Sequence, residues 1–282
     1  MKGNTMAAKC FLAVCLLLMT KLLYGLPSTI RYAVPVWKNF ANEDGTGAYV
    51  EMLNRIFRPQ GIEVKVVTAP LNRAIAMVKA GDADLVGGIE PNDFASNLII
   101  SKRPIYSGSV SALFRRERLK DWTGIETIRL NARSAGGPRQ IQMMVGGNIP
   151  IMELNYRDQC IRMLLADRLH YYVELDFVLK NVFAHAVENR PGSAFDIESK
   201  TLKPKDSKIN PDEYVIRPIR QTDLYMAFTK STAGREFEKI FADGFLRITK
   251  SGELKQIYKK WDVLAILPQQ SAQTGPTDSR ND

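Results

Sequence analysis

Two glycines and a carboxylate close a short apolar run in DADLVGGIEPNDF, Asp82 to Phe94. Gly87 and Gly88 expose backbone that a small solute can approach, or else they make room for a neighbouring side chain. Glu90 and Asn92 follow at once with a charge and an amide. Upstream, PLNRA puts Arg73 in the first turn of a helix that starts at Leu71. Arg73 is either a cation aimed at the same edge or an exposed helix arginine. In ADRLHYYVE, Glu174 ends an apolar strand, where a carboxylate is placed to meet a ligand, with a surface salt bridge as the alternative. ARSAGGPR sets Ser134 beside glycines whose N–H groups suit an anion, a role for which Gly146 and Gly147 compete.

Catalytic and metal chemistry find less support. His170 and His185 have no second histidine or cysteine at ligand spacing, and no H-E-x-x-H or C-x-x-C occurs. There is no G-x-S-x-G and no P-loop. Cys160, in YRDQCIRMLLADR, falls on a helical face with Ile161, Leu164 and Leu165 and reads as a packed thiol. No metal and no cofactor are expected.

The first residues have a different character. MKGNTMAAK carries lysines and no acid, and Cys10 to Met19 is unbroken apolar sequence, shorter than the roughly 20 residues a membrane-spanning helix needs. A secretory signal removed near Gly25 is therefore expected, with a periplasmic product. Cys10 and Cys15 leave with it, so Cys160 is alone and no internal disulfide forms. The formal charge of +9 falls to about +6 without Lys2, Lys9 and Lys21. The remaining basic residues are scattered among acids, which gives nucleic-acid binding little support.

Elements that position these residues follow from periodicity. TIRYAV alternates as a strand, GAYVEMLNRIF carries a helical apolar stripe, and IEVKVV alternates again. PLNRAIAMVKAG is a helix ending at Gly81, and DADLVGG is a third strand. Strand, helix, strand, helix, strand with short connections implies parallel pairing and right-handed crossovers, so the strands' C-terminal ends share one edge. SGSVSALF reads as an extended crossing, followed by a second α/β pattern and a polar excursion, NRPGSAFDIESKTLKPKDSKINPDEY. DLYMAFTK returns as a strand before two amphipathic helices, GREFEKIFADGF and SGELKQIYKKW, the second with Ser251 as N-cap.

Together GTGAYVEMLNRIF, GIEVKVV, PLNRAIAMVKAGDADLVGG, LYMAFTK and SGELKQIYKKW resemble the bacterial extracellular solute-binding proteins of family 3, the polar amino-acid receptors of ABC importers. The resemblance runs from about Ile30 to Trp261 and is weakest between Gly124 and Leu154. It implies a two-lobed α/β periplasmic-binding-protein fold with two extended hinge crossings. The lobes are expected at 26–112 with 219–264 and at 113–218, followed by a disordered tail from 265.

The resemblance also implies a monomer that captures a small polar solute between its lobes for an ABC permease in the inner membrane. A sensor for a membrane partner, or a dehydratase-like enzyme using Glu90 and Glu174 as acid and base, are its alternatives. Relatives that bind α-amino acids place an arginine after the strand matching ADLVGG, where this chain has EPNDF. Trp37 and Phe40 fall where an aromatic covers the ligand, Leu71 where a wall residue stands, and Glu174 where an acid receives the ligand's amino group. Arg73, or failing it Arg103, would have to replace the missing arginine.

Overall fold

The alternation in TIRYAV becomes β1 (Thr29–Val34), which pairs in parallel with β2 (Glu63–Thr68) on one side and β3 (Leu85–Ile89) on the other. This is a computed structural model, and it describes residues 26–91, 95–145, 149–154, 156–188 and 209–266. Residues 1–25, where a signal is expected, Asn92, residues 189–208 of the polar excursion and residues 267–282 lie outside that set. Ile266 is buried inside the expected tail.

By their contacts the described residues form two units: those within Met1–Arg103 and Met226–Val263, and those within Pro104–Tyr225 and Leu264–Asp282. The divisions fall at 103/104 and 225/226, away from the positions read in the sequence. The reason is pairing: β5 (Tyr106–Arg115) and β9 (Tyr214–Thr229) bond to each other along Tyr106–Arg115 and Tyr214–Leu224, so both expected crossings count with the second unit.

In the first unit, α1 (Ala48–Phe57) and α2 (Leu71–Ala80) make the crossovers between the parallel strands. The inner face of α2, Ala74, Ile75 and Val78, packs on Ala33 and Val86 of the sheet. β4 (Leu98–Ile100) pairs antiparallel with the last residues of β9, Ala227 to Thr229. The chain then returns through α7 (Thr232–Lys250), whose N-cap Ser231 Oγ accepts the Gly234 N–H at 3.0 Å. Phe237 of α7 meets Phe57 of α1 edge-on at 6.0 Å. In α8 (Glu253–Lys260), Lys260 Nζ and, just beyond it, Trp261 Nε1 donate to Glu51 of α1 at 2.7 and 2.8 Å. Ser251 closes α7, and Gly252 takes the N-cap of α8 that Ser251 was expected to fill.

The second unit is a mixed sheet. β8 (Tyr171–Leu175) runs antiparallel to β5 and parallel to β6 (Ala135–Gly137), which pairs in turn with β7 (Met152–Glu153). Its helices are α3 (Ile125–Leu130), α4 (Arg139–Met144), α5 (Arg157–Leu165) and α6 (Asp176–Glu188). The apolar stripe of α5, Cys160, Ile161 and Leu164, packs with Leu113, Leu169, Tyr172 and Leu179. Cys160 is buried there and burial pushes its thiol up to about 12, as a packed residue rather than a nucleophile requires.

Candidate functional site

The C-terminal edge of β1 and β3 in the first unit is largely filled by its own side chains. After β1 the chain turns tightly: the Trp37 N–H donates to the Ala41 carbonyl at 2.8 Å, and the Phe40 N–H to the Trp37 carbonyl at 2.9 Å. This turn seats Trp37 against Phe40, ring centroids 4.6 Å apart, with Tyr49 behind Phe40 at 4.8 Å. Phe40 is fully buried. It supports Trp37 from beneath instead of facing a solute, because burying two aromatic rings on each other leaves only the outer one exposed.

The glycine pair answers to packing. A Cβ on Gly87 would lie 2.8 Å from Tyr32 Oη and 2.9 Å from Met226 Sδ, so the side-chain space is already taken. Gly88 has φ of +77°, and a Cβ there would come within 3.0 Å of the Trp37 ring. Trp37, half-buried, is thus laid over Gly88 and offers the accessible surface of this edge. Glu90 follows β3 and is half-buried, and Asn92 lies outside the described residues.

Leu71 is partly committed to the core beside Ala74 and Ile75. Arg73 stands exposed in the first turn of α2 and makes no hydrogen bond or ion pair with another described residue. Arg103 is likewise exposed, with its carbonyl accepting the Ser101 hydroxyl.

Charge enters the first unit at the opposite ends of the strands. Arg31 of β1 donates Nε and Nη2 to the two carboxylate oxygens of Asp84 at 2.9 Å each, and its remaining donors reach the Asp82 and Gly81 carbonyls at 2.7 and 2.8 Å. The hydrogen bond to Asp84, more than its charge, holds the Arg31 guanidinium above its ordinary range against a smaller opposing effect of burial. This clamp ties the starts of β1 and β3 together.

In the second unit, Ser134 is a correction. It precedes β6, its hydroxyl donates to the Asn131 carbonyl at 3.1 Å, and its own carbonyl accepts the His170 N–H at 2.8 Å. Since β6 and β8 are parallel, Ser134 and His170 mark the strand starts. The far end of β8 lies about 13 Å further on, at roughly 3.3 Å per residue. The glycines that follow Ser134 are strand residues of β6, and no anion-cradling loop forms around the serine.

Glu174 does sit at the end of β8, but it is already engaged. Its side chain is 0% exposed, Oε2 accepts Arg157 Nε at 2.8 Å and Oε1 accepts the Leu175 N–H at 3.0 Å. Burial works against the charge of Arg157, and the nearby Glu174 carboxylate more than restores it. A buried carboxylate demands such a partner. Opposite Glu174 in the β5 register is buried Ser111, whose hydroxyl lies 3.0 Å from that of Ser109. An acid sealed in this way is neither an open ammonium receptor nor a free general acid or base.

A profile of the bacterial extracellular solute-binding proteins, family 3, matches residues 31–263, through both units. The chain belongs to that family. Three solved structures share its fold. An amino acid ABC transporter substrate-binding protein from Streptococcus pneumoniae, AbpA, bound to L-arginine, is 16% identical with a TM-score of 0.61, covering 86% of this chain and 97% of that one. A histidine kinase sensor domain with similarity to periplasmic binding proteins is 18% identical with a TM-score of 0.63, over 86% and 98%. An ancestral amino acid-binding protein, a precursor of cyclohexadienyl dehydratase, is 14% identical with a TM-score of 0.62, over 83% and 95%. No curated protein matches the chain.

Within this family 3 chain, sequence reasoning missed Arg157. One signal was available: a basic residue at the first position of a helix opposes the macrodipole, and such a local conflict asks for a partner. Among the described residues no group of three or more metal-ligating side chains comes together, and no helix is long and apolar enough to cross a membrane.

Proposed function

We propose that this chain is an exported receptor that captures a small polar solute and releases it unchanged to a membrane partner. The observation that carries this reading is the family match across residues 31–263, which makes both units parts of one solute-binding protein. Trp37, Leu71, Arg73, Glu90 and Asn92 are the contacts proposed for the first unit, and Arg157, positioned by Glu174, for the second. Residues 1–25 serve as a cleaved signal, the product is a periplasmic monomer, and the partner is the permease of an ABC importer. Solute binding is coupled to hinge motion at the two crossings, so the energy of polar contacts made in a dry site offsets the cost of closure.

Mass spectrometry of solute released on denaturing protein that was purified without refolding tests this directly, together with a thermal-shift screen. One class of small polar solute is expected to co-purify and to stabilise the fold, by about 2.7 kcal/mol at a hundredfold excess over Kd. Failure of every small polar solute to stabilise the protein would sink the reading. Loss of the solute over hours would point to an enzyme.

A further inference from the structure

The second unit holds a guanidinium that is fixed at one edge and open at the other. Arg157 uses Nε for Glu174, and its Nη1 and Nη2 make no hydrogen bond with another described residue. The side chain is 30% exposed while its carboxylate partner is fully covered. Bonded through Nε alone, the guanidinium keeps its end-on pair of N–H groups, the fork that matches both oxygens of a carboxylate. Its place at the start of α5 leaves the N–H groups of Arg157 and Asp158 without a helical partner, while those of Gln159 and Cys160 donate to the Tyr156 carbonyl at 3.1 and 3.2 Å. The other charged group of that turn, Asp158, is half-buried and has Arg162 as well as Arg157 acting on it.

From this arrangement we infer that the second unit receives the solute through an anion, with Arg157 as the contact and Glu174 as its positioning residue. The solute therefore carries a carboxylate toward this unit and no ammonium there. Glu174 presents no open oxygen to an ammonium, because its side chain is fully covered, with one oxygen on Arg157 Nε and the other on the Leu175 N–H. The inference rests on the receptor reading above and names the chemical class that reading leaves open.

Calorimetric titration of the full mature chain at low salt tests it. The probes are aliphatic mono- and dicarboxylates of two to six carbons, the amines of the same lengths, and the amino acids. The expected result is binding of a carboxylate without an amino group. That affinity falls roughly tenfold or more in Arg157→Gln, the loss of hydrogen bonds to a charged group. Arg157→Lys should restore part of it, and Glu174→Gln should weaken it less than Arg157→Gln.

Because Arg157→Gln alone strands the Glu174 charge, the neutral pair Arg157→Gln with Glu174→Gln is measured alongside, and it too should lose the carboxylate. If the tightest probe bears an amino group and binds equally well to the double variant, the anion assignment is overturned while the receptor reading stands. If no probe of any class binds the wild-type protein, the receptor reading itself fails.

Discussion

Among the described residues each unit contains one arginine locked to a buried or nearly buried acid, and the two pairs are built for different ends. Arg31 makes four side-chain hydrogen bonds, two to Asp84 and two to backbone carbonyls, at the starts of β1 and β3. Among the described residues Arg157 makes one, to Glu174 at the end of β8, and leaves its fork open. Asp84 is 11% exposed and Glu174 not at all, so burial of the acid does not separate a structural clamp from a candidate site. The separation lies in how many donors the guanidinium has left and in which end of the strands it occupies.

The largest effect should come from stranding the sealed acid. Arg157→Met is expected to lower unfolding stability by about 3 kcal/mol, since removal of one partner leaves a buried charge alone. Adding Glu174→Gln should recover most of that loss in urea titration. An Arg157→Met protein as stable as the parent would break the contrast, because Arg157 would then be a surface residue.

Glycine tests come next. Gly87→Ala forces a methyl against Tyr32 and Met226 and should cost about 1–3 kcal/mol as overpacking. Gly88→Ala should cost about 1–2 kcal/mol for its left-handed backbone alone. Trimming Trp37 to Leu in the Gly88 variant should relieve contact with the ring without curing that backbone penalty. Equal recovery in both glycine variants would show that Trp37 does not rest on Gly88 in particular.

For the clamp in the first unit, Asp84→Asn should cost about 1–2 kcal/mol. High salt should narrow that difference, because Arg31 is partly solvated.

The smallest effect concerns the seam between α1 and α8. Burial alone would raise the Glu51 carboxyl, but hydrogen bonds from Lys260 and Trp261 outweigh it and hold the group below the usual 4.5. A depressed carboxyl contributes stability that is present above its unfolded value and is lost as pH falls through the folded one. Glu51→Gln should therefore cost under about 1 kcal/mol at neutral pH. In pH-dependent denaturation its curve should meet that of the parent in acid below 4.5.

The alternation of TIRYAV and the stripes of α1 and α2 were legible because side-chain period follows backbone geometry and one face must be buried. The edge of the first unit was legible in part. Trp37 and Gly88 could be placed after β1 and at the end of β3, but the sequence could not show that each is the other's neighbour, since they meet only after β1 and β3 have paired. Phe40 illustrates the same limit: residue type gave an aromatic near the edge, and only packing decided that it lies beneath Trp37. Ser134 failed by strand direction, because a glycine pair looks alike before and after a strand. Glu174 was placed at a strand end, and of its two readings the structure shows an ion pair, buried rather than at the surface. Its partner is seventeen residues earlier in the chain, on a different element, beyond the reach of any local motif.

The return of the chain through β9, α7 and α8 sets an order for synthesis. Phe237, Phe241 and Tyr258 fill the core of the first unit, yet they emerge long after β1, α1, β2, α2 and β3. Most of the second unit, Pro104–Tyr225, is contiguous and can complete itself while the earlier strands wait for their cover. A nascent chain halted before Met226 would thus expose an unfinished apolar face, the kind of surface a chaperone recognises.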